Sequence, residues 1–360
     1  MADIKDVVNE EIKKSEAIAK NIKNPQVFDS AYRPKNILIR EELQTITRLI
    51  ADYLQFGIPR HIIIYGAKGS GKTLSAFSIA DAFRDKGVNY FYVNARENST
   101  SIKVYRALSQ IHSRGRDVEE VRNSVDKMLE GKALLIVDEV DFLHDFDVLY
   151  HISRQTKATL ILLTQKVYWY RDMSDESVKS SLQPVHVVFH EYGAKEMSEI
   201  LNLRASEGLV NYDDGLISLL SSLIVKNYRS DTRIGIVALQ ILGKKDKWGE
   251  QTVGMAVKQA YLEVEGETLK NLGDRDLIIL SALIKIPDTN KAYEAISQLD
   301  NYTVKGITKP TFFQSANYLQ NLGLITLIKK RVGRFYTMEA QPLMSDTNVV
   351  FNEAKKRTQT

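Results

Sequence analysis

The stretch "YGAKGSGKT", residues 65–73, constrains this chain more than any other part of it. It fits G-x-x-x-x-G-K-[ST], running through Gly66, Ala67, Lys68, Gly69, Ser70, Gly71, Lys72 and Thr73. Such a loop curls its backbone N–H groups around phosphate oxygens, and the glycines let the chain come close. Lys72 then reaches the β- and γ-phosphates, and the Thr73 hydroxyl completes a magnesium site. The flanks agree with this reading. "HIIIY" before the loop reads as a buried strand, and "TLSAFSIADAFRDKG" from Thr73 onward as an amphipathic helix. A strand, a loop and a helix in that order set the phosphate on a helix N-terminus.

The same logic extends over residues 36–190. The apolar stretches "HIIIY", "NYFYVN", "ALLIVDE", "TLILLT" and "HVVFH" alternate with helical patterns. That alternation predicts an α/β fold, a parallel sheet with covering helices. "ALLIVDEVDFL" ends an apolar strand in two acids. Asp138 is positioned to hold Mg²⁺ directly or through water, and Glu139 is the natural general base for a hydrolytic water. The next strand ends at Thr164 and Gln165, where a polar side chain can touch a γ-phosphate or orient water. Arg233, in "RSDTRIGIVALQIL", starts a helix; by itself it reads as a surface arginine, with folding onto that phosphate as the other reading. The "VYWY" cluster, residues 167–170, reads as packing or a protein contact. The six histidines are scattered, so no metal beyond Mg²⁺ is expected.

Without cysteine, the chain has neither disulfides nor thiolate metal sites. Its start reads as a charged helix rather than a signal peptide, and its apolar runs are far below membrane-spanning length. A soluble, cytoplasmic, nucleoid-associated protein with no membrane partner is the expectation.

The net charge of +4 is unevenly placed: acids and bases balance over residues 1–270, and the excess lies in 271–360. Residues 305–338 hold Lys305, Lys309, Lys329, Lys330, Arg331 and Arg334 and no acid. A cationic surface of this kind suggests a polyanion partner. The segment from residue 271 onward reads as three helices, the third stopping at Gly323, followed by a two-stranded hairpin. That is the order of a winged helix-turn-helix, whose third helix enters a DNA major groove. Lys309, Thr311, Gln314, Ser315 and Asn317 on that helix, and Lys329, Lys330, Arg331 and Arg334 on the wing, are the candidate DNA contacts. Helix-turn-helix units also serve as protein docks, and charge alone leaves that alternative open.

With these motifs assembled, the chain resembles the archaeal origin-recognition initiators, AAA+ relatives of the eukaryotic origin recognition complex ATPases. "YGAKGSGKT" and "IVDEVDFL", with the extra acid Asp141, match the family's Walker A and Walker B elements. "SDTRIGIVALQIL" resembles its sensor 2 helix, and "YEAISQL" and "YLQNLGLI" match its winged helix. The resemblance implies an AAA+ P-loop domain, a helical lid and a C-terminal winged helix. It implies ATP or ADP with Mg as cofactors, held by residues 66–73, Leu74 and Asp138, with Tyr32, Pro34 and Arg40 near the adenine. It also implies double-stranded origin DNA as partner, with a replicative helicase and related initiator paralogues as further ones. The expected division is a helix over 1–24, the nucleotide domain over 25–192, the lid over 193–270, the winged helix over 271–345 and a tail over 346–360.

Two positions depart from the family pattern. Gln165 stands where an Asn is usual, and Ser177 stands where an arginine commonly precedes "VKSSL". A slow Mg-dependent ATPase that uses the nucleotide chiefly as a conformational switch is therefore expected. A nucleotide-switched transcription regulator and a partner-dependent remodelling ATPase are the alternatives.

Overall fold

The structure is a computed structural model that describes residues 4–18, 21–29, 31–110, 118–245, 247–299, 303–332, 335–344 and 346–358. The chain opens with α1 (Ile4–Ile18) and a short 3₁₀ turn over Pro25–Phe28. Then come α2 (Glu41–Phe56), β1 (Ile62–Gly66), α3 (Lys72–Arg84), β2 (Asn89–Asn94), α4 (Ser101–Ser109) and α5 (Val118–Met128). β3 (Ala133–Asp138), α6 (Asp147–Gln155), β4 (Thr159–Thr164), α7 (Trp169–Asp172), α8 (Glu176–Leu182) and β5 (Val185–Phe189) follow. The rest is α9 (Ala194–Gly208), α10 (Asp214–Asn227), α11 (Thr232–Gly243), α12 (Glu250–Lys270), α13 (Asp274–Lys285), α14 (Thr289–Ser297), α15 (Lys309–Asn321), β6 (Ile325–Val332), β7 (Phe335–Pro342) and α16 (Asn348–Thr358).

Two compact units result: an α/β unit over Asp29–Arg204 with Ser230–Thr232, and a largely helical unit over Met1–Phe28, Ala205–Arg229 and Arg233–Thr360. In the α/β unit five parallel strands stand in the order β2-β3-β4-β1-β5. Burial follows that order. β3 and β4 are buried at every residue and β1 at all but Gly66, so they read as unbroken apolar runs, as strands covered on both faces do. Of the edge strands, β5 exposes alternate residues, His186 and Val188, and β2 exposes Asn89 and Tyr92. One face of the sheet packs on a cluster including Tyr105, Val125, Leu149, Ile152 and Trp169 from α4 to α7, and the other on Ile46, Ile50, Ala76 and Phe77 from α2 and α3. The C-terminal ends of β1, β3 and β4 lie side by side, where ligands bind in open α/β sheets.

In the helical unit α10 packs on α12. The N-terminal segment joins them, with Ile22 bridging to Leu209 and the Lys23 N–H donating to the Gly208 carbonyl at 2.9 Å. Helices α13, α14 and α15 surround Leu280, Ile296, Phe312 and Leu319, and the antiparallel pair β6–β7 closes the bundle. The stretch read as a tail folds as α16, which packs on α12 and α13. Arg357 on α16 donates to the carbonyls of Leu269, Lys270 and Leu272 at 2.7–3.1 Å. A cation there satisfies the open carbonyls at the end of α12 and complements its dipole. Among the described residues no helix is long and apolar enough to cross a membrane.

His61, just before β1, is 7% exposed, and its Nδ1 accepts the Leu160 N–H at 3.1 Å. Burial pushes its pKa down from 6.5 to about 4. The folded state thus takes up its proton only below about 4, whereas the unfolded chain does so near 6.5. The stability from this group is present above pH 6.5 and lost as the pH falls towards about 4. Denaturant titrations at several pH values should show His61→Asn, which keeps an acceptor, losing on the order of 2 kcal/mol less than wild type across that window.

Candidate functional site

The loop between β1 and α3 carries the site. Gly69 (φ 72°) and Gly71 (φ 83°) are left-handed, a conformation that costs glycine nothing. The Lys72 ammonium donates to the carbonyls of Gly66 at 2.7 Å and Ala67 at 2.9 Å, which holds the loop curled. Lys68 lies within electrostatic reach of Glu139, and Leu74 lies in the first turn of α3. The Thr73 hydroxyl donates to Asp138 Oδ2 at 2.7 Å, so the two residues expected to hold magnesium are brought together. Both donors are oxygens, which suits Mg²⁺, an ion that typically takes one or two protein ligands and completes its shell with water and phosphate. Among the described residues no group of three or more His, Cys, Asp or Glu forms a separate metal cluster.

Glu139 follows with φ 51° and ψ 42°, and its N–H donates to Asp138 Oδ1 at 2.8 Å. A non-glycine residue in this region is held there by its surroundings. Burial raises the Glu139 pKa, Arg96 and Lys68 oppose the rise, and Asp138 and Asp141 add to it. Asp141 is raised by burial too. It accepts the Thr164 hydroxyl at 2.8 Å on Oδ1, while its Oδ2 is buried with no partner. Thr164 aligns with Tyr65, one residue before Gly66, and Gln165 comes next, half-buried.

The entry segment reaches the loop through an unforeseen residue. Arg40 is 8% exposed, pairs with Glu42 at 3.1 Å and Glu196 at 3.4 Å, and donates to the His190 carbonyl at 3.0 Å. Its guanidinium lies 4.6 Å from the centre of the Tyr192 ring. The Tyr192 hydroxyl sits 2.5 Å from where a Cβ on Gly71 would be. Arg40 Nη1 and Ser70 Oγ are buried without partners, two polar atoms near the loop that a bound polar group would satisfy. Tyr32 lies farther along the segment, its ring 5.0 Å from the Arg204 guanidinium.

Three further residues escaped the sequence reading. Tyr92 on β2 donates to Asp138 Oδ2 at 3.3 Å. Arg96 faces Glu139 electrostatically. Thr232 donates to the Gly69 carbonyl at 2.8 Å, and Arg233 is the next residue on α11. Thr232 lies in the stretch "SDTRIGIVALQIL", where only Arg233 drew notice, while Tyr92 and Arg96 belong to no motif. Tyr92 pairs with Ile136 in the ladder, two residues from the register of Asp138. Ser177 is exposed at the start of α8, its N–H donating to Asp175 Oδ1 at 3.0 Å.

On the candidate DNA face, Lys309, Gln314 and Asn317 are exposed along α15. Thr311 is half-buried, its hydroxyl 2.9 Å from that of Thr308, the N-cap. Ser315 does not belong with them. It is 2% exposed, on the face of Phe312, Ala316 and Leu319 that packs into the bundle, and cannot touch a base. Lys329, Lys330 and Arg331 are exposed on β6. Lys330 is ion-paired with Glu339 of β7 at 2.8 Å, so an acid just outside the acid-free run offsets one of its charges. Arg334 lies outside the described residues.

A parallel sheet, a glycine-rich loop at the end of β1, acids at the end of β3 and a helical C-terminal part define an α/β AAA+ P-loop fold. Residues 59–167 match the family model for the AAA domain. The chain is 25% identical to ORC1-type DNA replication protein 1 of Sulfurisphaera tokodaii, with 95% of each chain covered. It is also 25% identical to the ORC1-type DNA replication protein of Pyrococcus horikoshii, covering 88% of this chain and 85% of the relative. Among solved structures, Aeropyrum pernix ORC1 in complex with DNA superposes with a TM-score of 0.72 at 24% identity, covering 94% of this chain and 98% of that one. Aeropyrum pernix ORC2, solved as ADPNP-ADP complexes, follows with 0.59 at 21% identity, covering 94% and 100%. The chain is thus similar to the archaeal ORC1-type DNA replication proteins along nearly its whole length, as its motifs imply.

Lys72→Ala should weaken ATP binding about ten-fold or more, because it removes the cation set in the loop. Glu139→Gln should keep ATP bound while cutting turnover by about a hundred-fold, the outcome expected of a general base at that position. Titration with a fluorescent ATP analogue and single-turnover hydrolysis separate the two, and unchanged affinity in the Lys72 variant would remove the loop from nucleotide binding.

Proposed function

We propose that this protein is an ATP-binding DNA replication initiator that grips duplex origin DNA through its winged helix. The nucleotide loop with Thr73 and Asp138 holds ATP or ADP with Mg²⁺, and ATP and ADP bias its conformation while hydrolysis is slow. Glu139 orients and deprotonates the attacking water, Gln165 and Arg233 contact the γ-phosphate, and Tyr32 and Arg40 line the adenine side. Magnesium, when bound, neutralises phosphate charge. The division into nucleotide, lid and winged-helix domains, and a helicase and initiator paralogues as partners, belong to the same proposal. The relatives named ORC1-type DNA replication proteins support it, as does the likeness to an ORC1 protein solved with DNA.

The observation that carries the DNA reading is the pairing of an exposed polar helix face, Lys309, Gln314 and Asn317, with a hairpin whose Lys329, Lys330 and Arg331 are exposed. The helix suits base edges and the hairpin suits a phosphate backbone. Phosphate contacts release counterions and set affinity and its salt dependence, but not sequence choice. Lys330→Ala with Arg331→Ala should weaken binding to any duplex by a similar factor and make the log–log salt slope shallower by about 1–2. Glu339→Gln should do the reverse, because it releases Lys330 from its ion pair. Gln314→Ala or Asn317→Ala should instead relax discrimination at one or two base pairs, each worth about 1–3 kcal/mol. Affinity measured against salt on a preferred and a scrambled duplex tests all three. A salt slope unmoved by the hairpin variants would favour a protein dock, and promoter rather than origin occupancy in genome footprints would favour a transcription regulator.

Ser177 has no charge to offer a neighbouring copy's phosphates, and a cation at a transferring phosphate is worth orders of magnitude in rate. ATPase rate per molecule should therefore stay flat as protein concentration rises. A clear acceleration would assign that role to another residue, with exposed Arg171, stacked 4.0 Å over Tyr168, the first to replace.

A further inference from the structure

Ser230, Asp231 and Thr232 belong to the α/β unit although the chain on both sides of them belongs to the helical one. All three are spent on the phosphate loop and its support. Thr232 Oγ1 donates to the Gly69 carbonyl at 2.8 Å. Asp231 is 7% exposed and packs so closely that a Cβ on Gly69 would lie 2.3 Å from its Oδ1 and 2.9 Å from its Cα. Ser230 is 4% exposed and donates to the Tyr192 carbonyl at 2.7 Å. Tyr192 in turn sets its hydroxyl against Gly71. Both left-handed glycines of the loop are therefore covered from outside by one assembly of side chains.

The backbone of this segment is constrained as well. Arg229 (φ 51°) and Ser230 (φ 56°) are both left-handed. Arg229 follows Tyr228, the C-cap of α10, where that conformation is ordinary. Ser230 repeats it with no helix end to require it, and serine lacks the freedom of glycine there. Such a conformation persists only where its contacts hold it.

We infer that residues 230–232, with Tyr192, form a strap that locks the phosphate loop in its curl, so that release of bound nucleotide waits on the strap letting go. The inference rests on the loop being the nucleotide site. The bond from Thr232 engages the Gly69 carbonyl, the kind of loop atom that would repel a phosphate, and so favours the arrangement in which amide N–H groups face the ligand. Pre-organisation of this sort raises affinity mainly through slower dissociation. The loop cradles the phosphates common to both nucleotides, so the strap acts on ATP and ADP alike. A cation acting on the γ-phosphate would affect ATP alone.

The test uses the full chain, with Thr232→Val to remove the donor and Thr232→Ser to restore it. Dissociation of fluorescent ADP and of a fluorescent non-hydrolysable ATP analogue is followed after a chase. Hydrogen exchange of the amides of residues 67–71 is followed in nucleotide-free protein. Thr232→Val should speed both dissociations about five- to ten-fold, the loss of one hydrogen bond, and accelerate amide exchange in the loop. Thr232→Ser should return both to wild-type values. Unchanged loop exchange, or faster release of the ATP analogue with unchanged release of ADP, would overturn the strap while leaving the nucleotide site standing. Wild-type protein that binds neither nucleotide would overturn the site reading, and the strap's role in nucleotide release with it.

Discussion

The bonds from the Lys72 ammonium to the carbonyls of Gly66 and Ala67 close the turn on which the rest of the site depends. A strand entering a helix through so tight a loop turns N–H groups towards an anion, and the Lys72 ammonium holds the curl through carbonyls, not through those amides. Once the loop is set, α3 begins at a fixed place, and the Thr73 hydroxyl falls on the Asp138 carboxylate at the end of β3. The left-handed glycines leave room on the outer side, and Tyr192 and Asp231 fill it. Side chains added at Gly69 or Gly71 would meet both a strained backbone and an occupied space.

Several charged groups around this loop act on one another through proximity. Burial raises Glu139 and Asp141, and Arg96, Lys68, Lys72 and Lys166 act against it from nearby. Lys166 is itself lowered by burial and held up by Asp141 and Asp172.

What could be read from the chain was what is local. The glycine-rich loop, the buried strands and the acids at the end of β3 announce themselves through spacing and periodicity within a dozen residues. The insertion of β4 between β1 and β3 is a long-range pairing with no local trace, although it is what sets Thr164 beside Asp141. Tyr192 and the 230–232 strap were hidden for the same reason, since each lies far along the chain from the loop it supports. Ser315 is different, because its burial was legible. It stands three residues after Phe312 and four before Leu319, on the apolar stripe of α15, and its polar side chain masked a position that periodicity assigns to the core.

The same contrast governs the basic hairpin. An acid-free run in the sequence is not an acid-free surface once the strands pair, because an antiparallel ladder brings in residues from beyond the run. Ile328 aligns with Glu339 and Lys330 with Thr337, so Lys330 and Glu339 are diagonal neighbours on one face of the ribbon. Thr337 on that face donates to Asp288, which adds a second carboxylate. Lys329 and Arg331 alternate to the opposite face, where their partners in register are Met338 and Tyr336. The positive charge of the hairpin is thus divided between a face tempered by acids and a face without an acid among its register partners. A surface ion pair such as Lys330–Glu339 is worth at most about 1 kcal/mol, so a phosphate arriving on the first face can displace Glu339 at small cost.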